Sequence, residues 1–252
     1  MKKSLATVLA LGLLFPLAAC GDDDGGDGAG GGSDQLTVLA ASSLTDVFEE
    51  LGSVFEEEHD VDVEFSFGSS TDLAEQAADG APGDVLATAD ETSMQVAEDA
   101  GVTGDVSTFA TNVLVIVTPP DNPAGIESLA DLADATWVRC ADGVPCGRVA
   151  LAVLADNAIT AEPASLEEDV RSALDKVVSG EADAGLVYAT DAMTAGDGVL
   201  TIPIESAADQ LTSYFMTTLE QSEDSELAQE WIDLVLSDQG QQVLEDAGFG
   251  TS

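Results

Sequence analysis

The stretch Leu36-Thr37-Val38-Leu39-Ala40-Ala41-Ser42-Ser43-Leu44-Thr45-Asp46-Val47-Phe48 constrains the fold most, because it turns a buried strand into a helix through two serines. Residues 36–41 form a short apolar run of strand length. After it, Val47, Phe48, Leu51, Val54 and Phe55 recur at helical spacing, so one face of the following helix is apolar. Ser43 and Asp46 have the Ser-x-x-Asp spacing of a capped helix start. A helix beginning there leaves its first backbone N–H groups unpaired and aimed beyond the strand end, with a serine hydroxyl beside them. That geometry suits an anion. A serine that only caps its helix would leave the same trace, so this turn alone assigns no ligand.

The chain opens Met1-Lys2-Lys3, continues through the apolar residues 5–17 and reaches Leu17-Ala18-Ala19-Cys20. A positive start, a short apolar centre and small residues before a cleavage point describe a secretory signal over residues 1–19, too short to span a membrane. Its ending resembles the lipobox of bacterial lipoproteins, which implies a lipid on Cys20. Residues 20–34 would then be the lipidated cysteine and a disordered Gly/Asp tether, unable to bury apolar surface. The Asp run lacks the spacing and closing Glu of a calcium loop. Removing residues 1–19 takes two of the six Lys and Arg and none of the 49 acids, deepening a net charge of −43 by two. No basic patch is left for nucleic acid phosphates. Such an acidic shell keeps the protein soluble while repelling itself, and suggests a saline habitat with stability rising into molar NaCl.

From Gln35 onward the chain suits one large domain or two lobes of roughly a hundred residues. Val61, Val63, Phe65 and Phe67 alternate with polar residues as a half-buried strand does, and lead into a second serine turn, Gly68-Ser69-Ser70-Thr71. Gly80-Ala81-Pro82-Gly83 breaks the next helix. Residues 84–89 read as a strand, with Asp90 able to cap the helix after it. Residues 109–118 are the most strand-like run of the chain and end at Pro119-Pro120. Further on come a strand over 136–140, the loop Ala141-Asp142-Gly143-Val144-Pro145-Cys146-Gly147 before an apolar helix, and Glu168-Asp169-Val170-Arg171 opening another helix. Strands over 184–188 and 211–219 and two C-terminal helices complete the chain. Strands alternating with helices imply an α/β fold with mostly parallel sheets. Cys140 and Cys146, with His59 distant in sequence, are too few for a zinc site; a disulfide fits a secreted chain better.

In open α/β sheets, ligands bind beyond the carboxyl ends of the strands, where helix N-termini point. The two serine turns, the Val-Pro-Cys-Gly loop, the Glu-Asp-Val-Arg start and Tyr188 at the end of an apolar strand could all converge there. Amides and hydroxyls would donate to a fully deprotonated tetrahedral oxyanion without any cationic side chain. A fixed cage of that kind selects by size.

In this arrangement the chain resembles the bacterial periplasmic molybdate-binding proteins, the substrate receptors of molybdate ABC transporters. The resemblance is carried, in family order, by Leu39-Ala40-Ala41-Ser42-Ser43-Leu44-Thr45, Phe67-Gly68-Ser69-Ser70-Thr71, Gly80-Ala81-Pro82-Gly83-Asp84-Val85, Val144-Pro145-Cys146-Gly147, Glu168-Asp169-Val170-Arg171 and Gly185-Leu186-Val187-Tyr188-Ala189-Thr190-Asp191-Ala192. It implies a two-lobed periplasmic-binding-protein fold of type II, each lobe a mostly parallel sheet flanked by helices. Lobe 1 would comprise residues 35–112 and 215–252, and lobe 2 residues 113–214, joined by crossing segments near Val113 and Tyr214. It implies a monomer without enzymatic activity or a resident cofactor, lipid-anchored outside the cytoplasmic membrane or periplasmic, that closes on molybdate or tungstate and is read by a membrane permease.

By the family pattern, Ser43 and Ser70 each give a hydroxyl and an N–H to the oxyanion, Cys146 and Val170 give N–H groups, and Tyr188 gives its hydroxyl. Cys146 departs from the small apolar residue common there, a change that a main-chain donor tolerates. Arg171 reads better as an ion pair than as an anion ligand, because a guanidinium in the cage would weaken selection by size, and the sequence leaves the role of Arg148 open. His59 reads as a solvated residue at a helix end. A receptor for sulfate or phosphate is the nearest alternative. A serine hydrolase is the alternative from another class, but Gly-x-Ser-x-Gly is absent and His59 is the sole imidazole.

Overall fold

The computed structural model describes residues 35–251; the expected leader, Cys20 and the Gly/Asp tether lie outside them. The strands are β1 (Gln35–Ala41), β2 (Asp62–Gly68), β3 (Val85–Thr88), β4 (Ser107–Asn112), β5 (Leu114–Thr118), β6 (Trp137–Cys140), β7 (Ser165–Glu167), β8 (Ala184–Tyr188), β9 (Leu200–Pro203), β10 (Thr212–Thr218) and β11 (Gly250–Thr251). The α-helices are α1 (Thr45–His59), α2 (Ser70–Ala78), α3 (Glu91–Ala100), α4 (Pro145–Asp156), α5 (Val170–Val178), α6 (Ala189–Ala195), α7 (Ser225–Leu236) and α8 (Asp238–Asp246). Lobe 1 is built on a six-stranded sheet ordered β11-β4-β10-β3-β1-β2. Lobe 2 is built on a five-stranded sheet ordered β7-β6-β8-β5-β9.

Both sheets are mixed, which corrects the expectation of mostly parallel ones. β1 pairs in parallel with β2 and β3, and β6 with β7 and β8. β10 runs antiparallel to β3 and β4, and β5 antiparallel to β8 and β9. The antiparallel strands are the ones that carry the chain from one lobe to the other. A strand that leaves or enters at the interlobe face has no helical crossover to reverse it, so it pairs head to tail.

The run 109–118, one strand by sequence, is two strands in different sheets. The break comes at Val113. Its N–H is taken by the side-chain oxygen of Asn112 at 2.9 Å and so leaves the ladder of β4, while its carbonyl accepts from the N–H of Ala189 at 2.9 Å in the register of β5 with β8. The second crossing ends before Tyr214, which sits inside β10: Thr212, Ser213 and Tyr214 pair with Asn112, Thr111 and Ala110.

Lobe 1 has apolar layers on both sides of its sheet. On one, Trp231 of α7 is fully buried and meets Phe48 and Phe55 edge-on at 5.4 and 5.5 Å between ring centres. On the other, Leu73, Ala77, Met94 and Ala97 of α2 and α3 pack with Leu39 and Leu86. Lobe 2 has one continuous core that includes Trp137, Val153, Leu174 and Leu186. Truncating a buried aromatic such as Trp231 to alanine would cost about 3–5 kcal/mol. These layers fix the strand ends and helix starts that face the other lobe.

Candidate functional site

Between the lobes lies a cavity lined by Ser42, Ser43, Ser69, Ser70, Cys146, Val170 and Tyr188, with Ala41, Gly68, Ala89, Val144, Pro145, Glu168 and Asp169. It is small. The space open to the centre of a water molecule is about 10 Å³, which adds up to a ball roughly 2.7 Å in radius, the scale of one compact ion. All five residues that the sequence singles out as ligands border this one cavity, two from lobe 1 and three from lobe 2.

Each is delivered by an element end. β1 ends at Ala41, and Ser42 to Leu44 form a tight 3-10 turn that runs into α1. The expectation that Ser43 caps this helix is corrected: neither helical start has a side-chain cap bond, and the Ser43 hydroxyl lies 2.8 Å from the hydroxyl of Tyr214. In the second turn, Ser69 is the capping residue of α2, accepting from the N–H of Asp72 at 3.5 Å. Ser70, next along, accepts from the N–H of Ala89 at 3.0 Å. Its own hydroxyl proton is therefore left to give.

In lobe 2, a disulfide joins Cys140, the last residue of β6, to Cys146 in the first turn of α4. The loop closes so tightly that a Cβ on Gly147 would stand 1.7 Å from the carbonyl oxygen of Ala141, so only glycine fits there. Pro145 opens the helix without an N–H to satisfy, and the first chain-reversing bond runs from Arg148 N–H to Val144 at 3.0 Å. The N–H groups at the start of the first turn have no preceding helical turn to bond, and Cys146, which carries one of them, lines the cavity. Asp169 caps α5 through the N–H of Ser172 at 2.9 Å, leaving Val170 at the helix start. Asp169 is thus turned into its own helix, and Glu168 is exposed at the rim.

Tyr188 closes the cavity from the end of β8. It is 1% exposed, and its hydroxyl has no hydrogen-bond partner among the described residues. Burial holds the phenol well above its ordinary value, with the neighbouring Tyr214 adding to this and Thr212 only partly offsetting it. It is a neutral donor at any working pH.

Cationic side chains stand around the cavity rather than in it. Arg148 of α4 reaches Asp90 of lobe 1 at 2.6 Å and Ser93 at 2.8 Å, and also bonds the carbonyl of Gly143. Thr71 of lobe 1 donates to that same carbonyl at 3.0 Å. On the other flank, Arg171 pairs with Asp46 of α1. Its Nε also lies 3.0 Å from the buried Asp191, although the two are not aligned as a hydrogen bond. Burial pushes the Asp191 carboxyl up to about 7; Arg171 and the N–H of Tyr188 pull it down, while Asp46 and Asp169 push it further up. Both arginines act as ion pairs across the lobes, as the sequence reading favoured for Arg171. His59 ends α1, stacked on Phe55 at 4.1 Å and 3.1 Å from Glu230, away from the cavity. Among the described residues no group of three or more His, Cys, Asp or Glu could hold a metal ion, and no helix is long and apolar enough to cross a membrane.

Sequence reasoning missed the groups behind the cavity: Tyr214, Asn112, Thr190 and Thr212. Thr212 donates to the carbonyl of Ala89 at 2.5 Å, and Asn112 donates to Thr190 at 2.8 Å and to Tyr214 at 3.3 Å. One signal was available. Asn112 is an amide in the midst of the chain's most apolar strand-like run, and such a group, once buried, requires partners.

Comparison with known proteins fits this architecture. The molybdate-binding protein ModA of Mycobacterium tuberculosis is 34% identical over 244 residues, covering 94% of each chain. The solved structure of the periplasmic molybdate-binding protein of Azotobacter vinelandii superposes with a TM-score of 0.77 at 20% identity, covering 86% of this chain and 99% of that one. The sulfate-binding protein SubI of M. tuberculosis gives 0.73 at 18% identity, covering 86% of each, and so shares the fold. With residues 36–250 matching the family throughout, the chain belongs to the bacterial extracellular solute-binding proteins.

Proposed function

We propose that the chain captures molybdate between its two lobes and presents it to a membrane ABC permease, with tungstate competing for the same cage. The observation that carries this reading is the convergence of Ser43, Ser70, Cys146, Val170 and Tyr188 on one ion-sized cavity that receives no cationic side chain. Hydroxyls and helix-start amides can all donate to an ion that only accepts. Ser43 and Ser70 would each give a hydroxyl and an N–H, Cys146 and Val170 their N–H groups, and Tyr188 its phenol. The close relation to a protein named for binding molybdate supports the same cargo.

Binding draws together lobes already linked by Arg148 with Asp90 and Arg171 with Asp46. The closed form is what the permease would read. A lipid on Cys20 would keep this monomer at the outer face of the membrane, on a tether formed by residues 21–34. The chain works by binding and not by catalysis: Ser43 faces a tyrosine, and the sole histidine is engaged with Glu230.

Sulfate is the alternative cargo, since the same donors suit any fully deprotonated tetrahedral oxyanion. Titration calorimetry against molybdate, tungstate, sulfate and phosphate separates these readings. Tight binding of molybdate and tungstate, with sulfate much weaker, is expected. Tight sulfate without molybdate would change the cargo, and no heat with any of the four ions would overturn the receptor reading.

A further inference from the structure

We propose that Asn112 and Tyr214 are positioning residues that fix Ser43 as a proton donor to the cavity, and so favour an oxyanion carrying no proton of its own. This rests on the oxyanion reading above. The polarity can be followed atom by atom from the backbone. The side-chain oxygen of Asn112 accepts the N–H of Val113 at 2.9 Å, which settles the orientation of the amide. Its nitrogen must then be the atom that donates to Thr190 at 2.8 Å and to the Tyr214 hydroxyl at 3.3 Å.

Tyr214 is fully buried. With Asn112 donating to its oxygen, its own proton has one acceptor among the described residues, the Ser43 oxygen at 2.8 Å. Burial keeps the phenol far above its ordinary value, so that proton is always present. Ser43 therefore accepts from Tyr214, and its own proton is directed to the cavity that it lines. The backbone gives Ser70 the same polarity, because the N–H of Ala89 donates to its oxygen at 3.0 Å. Both serines thus face the cargo as donors. A cargo O–H pointed at Ser43 would strand a buried proton, a cost that a hydroxyl free to turn would partly avoid.

The relay is also set where the lobes meet. Asn112 is the last residue of β4 before the chain crosses, Tyr214 is in β10, and Thr190 is in α6 of lobe 2.

A double-mutant cycle read by calorimetry with molybdate tests the relay. Tyr214→Phe is expected to weaken binding about 5- to 20-fold in the wild-type background and less than twofold in a Ser43→Ala background, because it acts through that hydroxyl. An equal loss in both backgrounds would make Tyr214 a packing residue and overturn the relay. Asn112→Asp supplies a second arm that keeps the side chain's shape. An ionised carboxylate there accepts from Tyr214 and reverses the chain, so Ser43 would offer lone pairs to the cavity. At pH 8 the preference for molybdate over hydrogen phosphate, two ions of equal charge, should then fall at least fivefold. An unchanged ratio would count against the relay. If wild-type protein binds sulfate and not molybdate, the same cycle is run with sulfate. If it binds no oxyanion, the receptor reading falls first and takes this inference with it; binding with an additive cycle sinks the relay alone.

Discussion

The first lobe contains no lysine or arginine, whereas the second contains Arg139, Arg148, Arg171 and Lys176. Two of these stay within their lobe: Lys176 with Glu181 at 2.6 Å, and Arg139 with Asp142 at 2.7 Å. The other two cross to Asp90 and Asp46. Two of these four scarce cations are thus placed along the seam, while no cationic side chain lines the cavity between them. The contrast separates two tasks. Charge attraction across the flanks favours closure and has little regard for size, whereas fixed dipoles inside judge the shape and proton content of what is enclosed.

The largest effect expected from disturbing this arrangement is on stability, through Asp191. Its carboxyl is raised from 3.8 to about 7 in the folded protein, chiefly by burial. The folded state therefore holds that proton more tightly than the unfolded chain, so the group's contribution is full below about pH 4 and is lost as pH rises through 7, by up to a few kcal/mol. Denaturation midpoints should fall between pH 5 and 8, and Asp191→Asn should flatten that slope. A slope that survives in the variant would assign it to the acidic exterior instead.

Inside the cavity, Ser70→Ala removes a proposed donor to the cargo and strands the N–H of Ala89. Molybdate affinity should drop by about 2–3 kcal/mol in calorimetry, and Ser43→Ala by roughly 1–3 kcal/mol. Replacing Cys140 and Cys146 together by serine opens a short ring and should cost about 2 kcal/mol of stability in chemical denaturation. Affinity should change less, because Cys146 is expected to serve through its main chain. The smallest effect belongs to the seam. Arg148→Gln breaks a half-screened pair worth about 1 kcal/mol, visible as weaker binding and a more open ligand-free form in small-angle scattering. Raising NaCl should shrink the gap between this variant and wild type, even if it stabilises the acidic fold as a whole. A seam variant that altered the choice among oxyanions would break the division drawn here.

Much of the fold was legible because its signals are local. Helical spacing in 47–55, the alternation at 61–67, Asp90 as a cap and the helix opened by Glu168-Asp169-Val170-Arg171 are all settled within a few residues of themselves. The short edge strands β7, β9 and β11 left too few residues to show a period. The run 109–118 misled for the same reason: a change of sheet at Val113 leaves the β-branched pattern intact on either side.

The amino-acid sequence by itself determined the order of the longer strands and helices apart from the break at Val113, the serine turns, the strongly negative charge and the nearness of Cys140 to Cys146, since each depends on neighbours in the chain or on composition. Only the tertiary structure decided the partnerships. Ser43 meets Tyr214 across 171 positions and Arg171 meets Asp46 across 125, so no local period carries either pairing. Their hydrogen bonds and ion pairs form once packed layers have brought strand ends and helix starts from both lobes to one place, and that same packing gives Ser43 its direction.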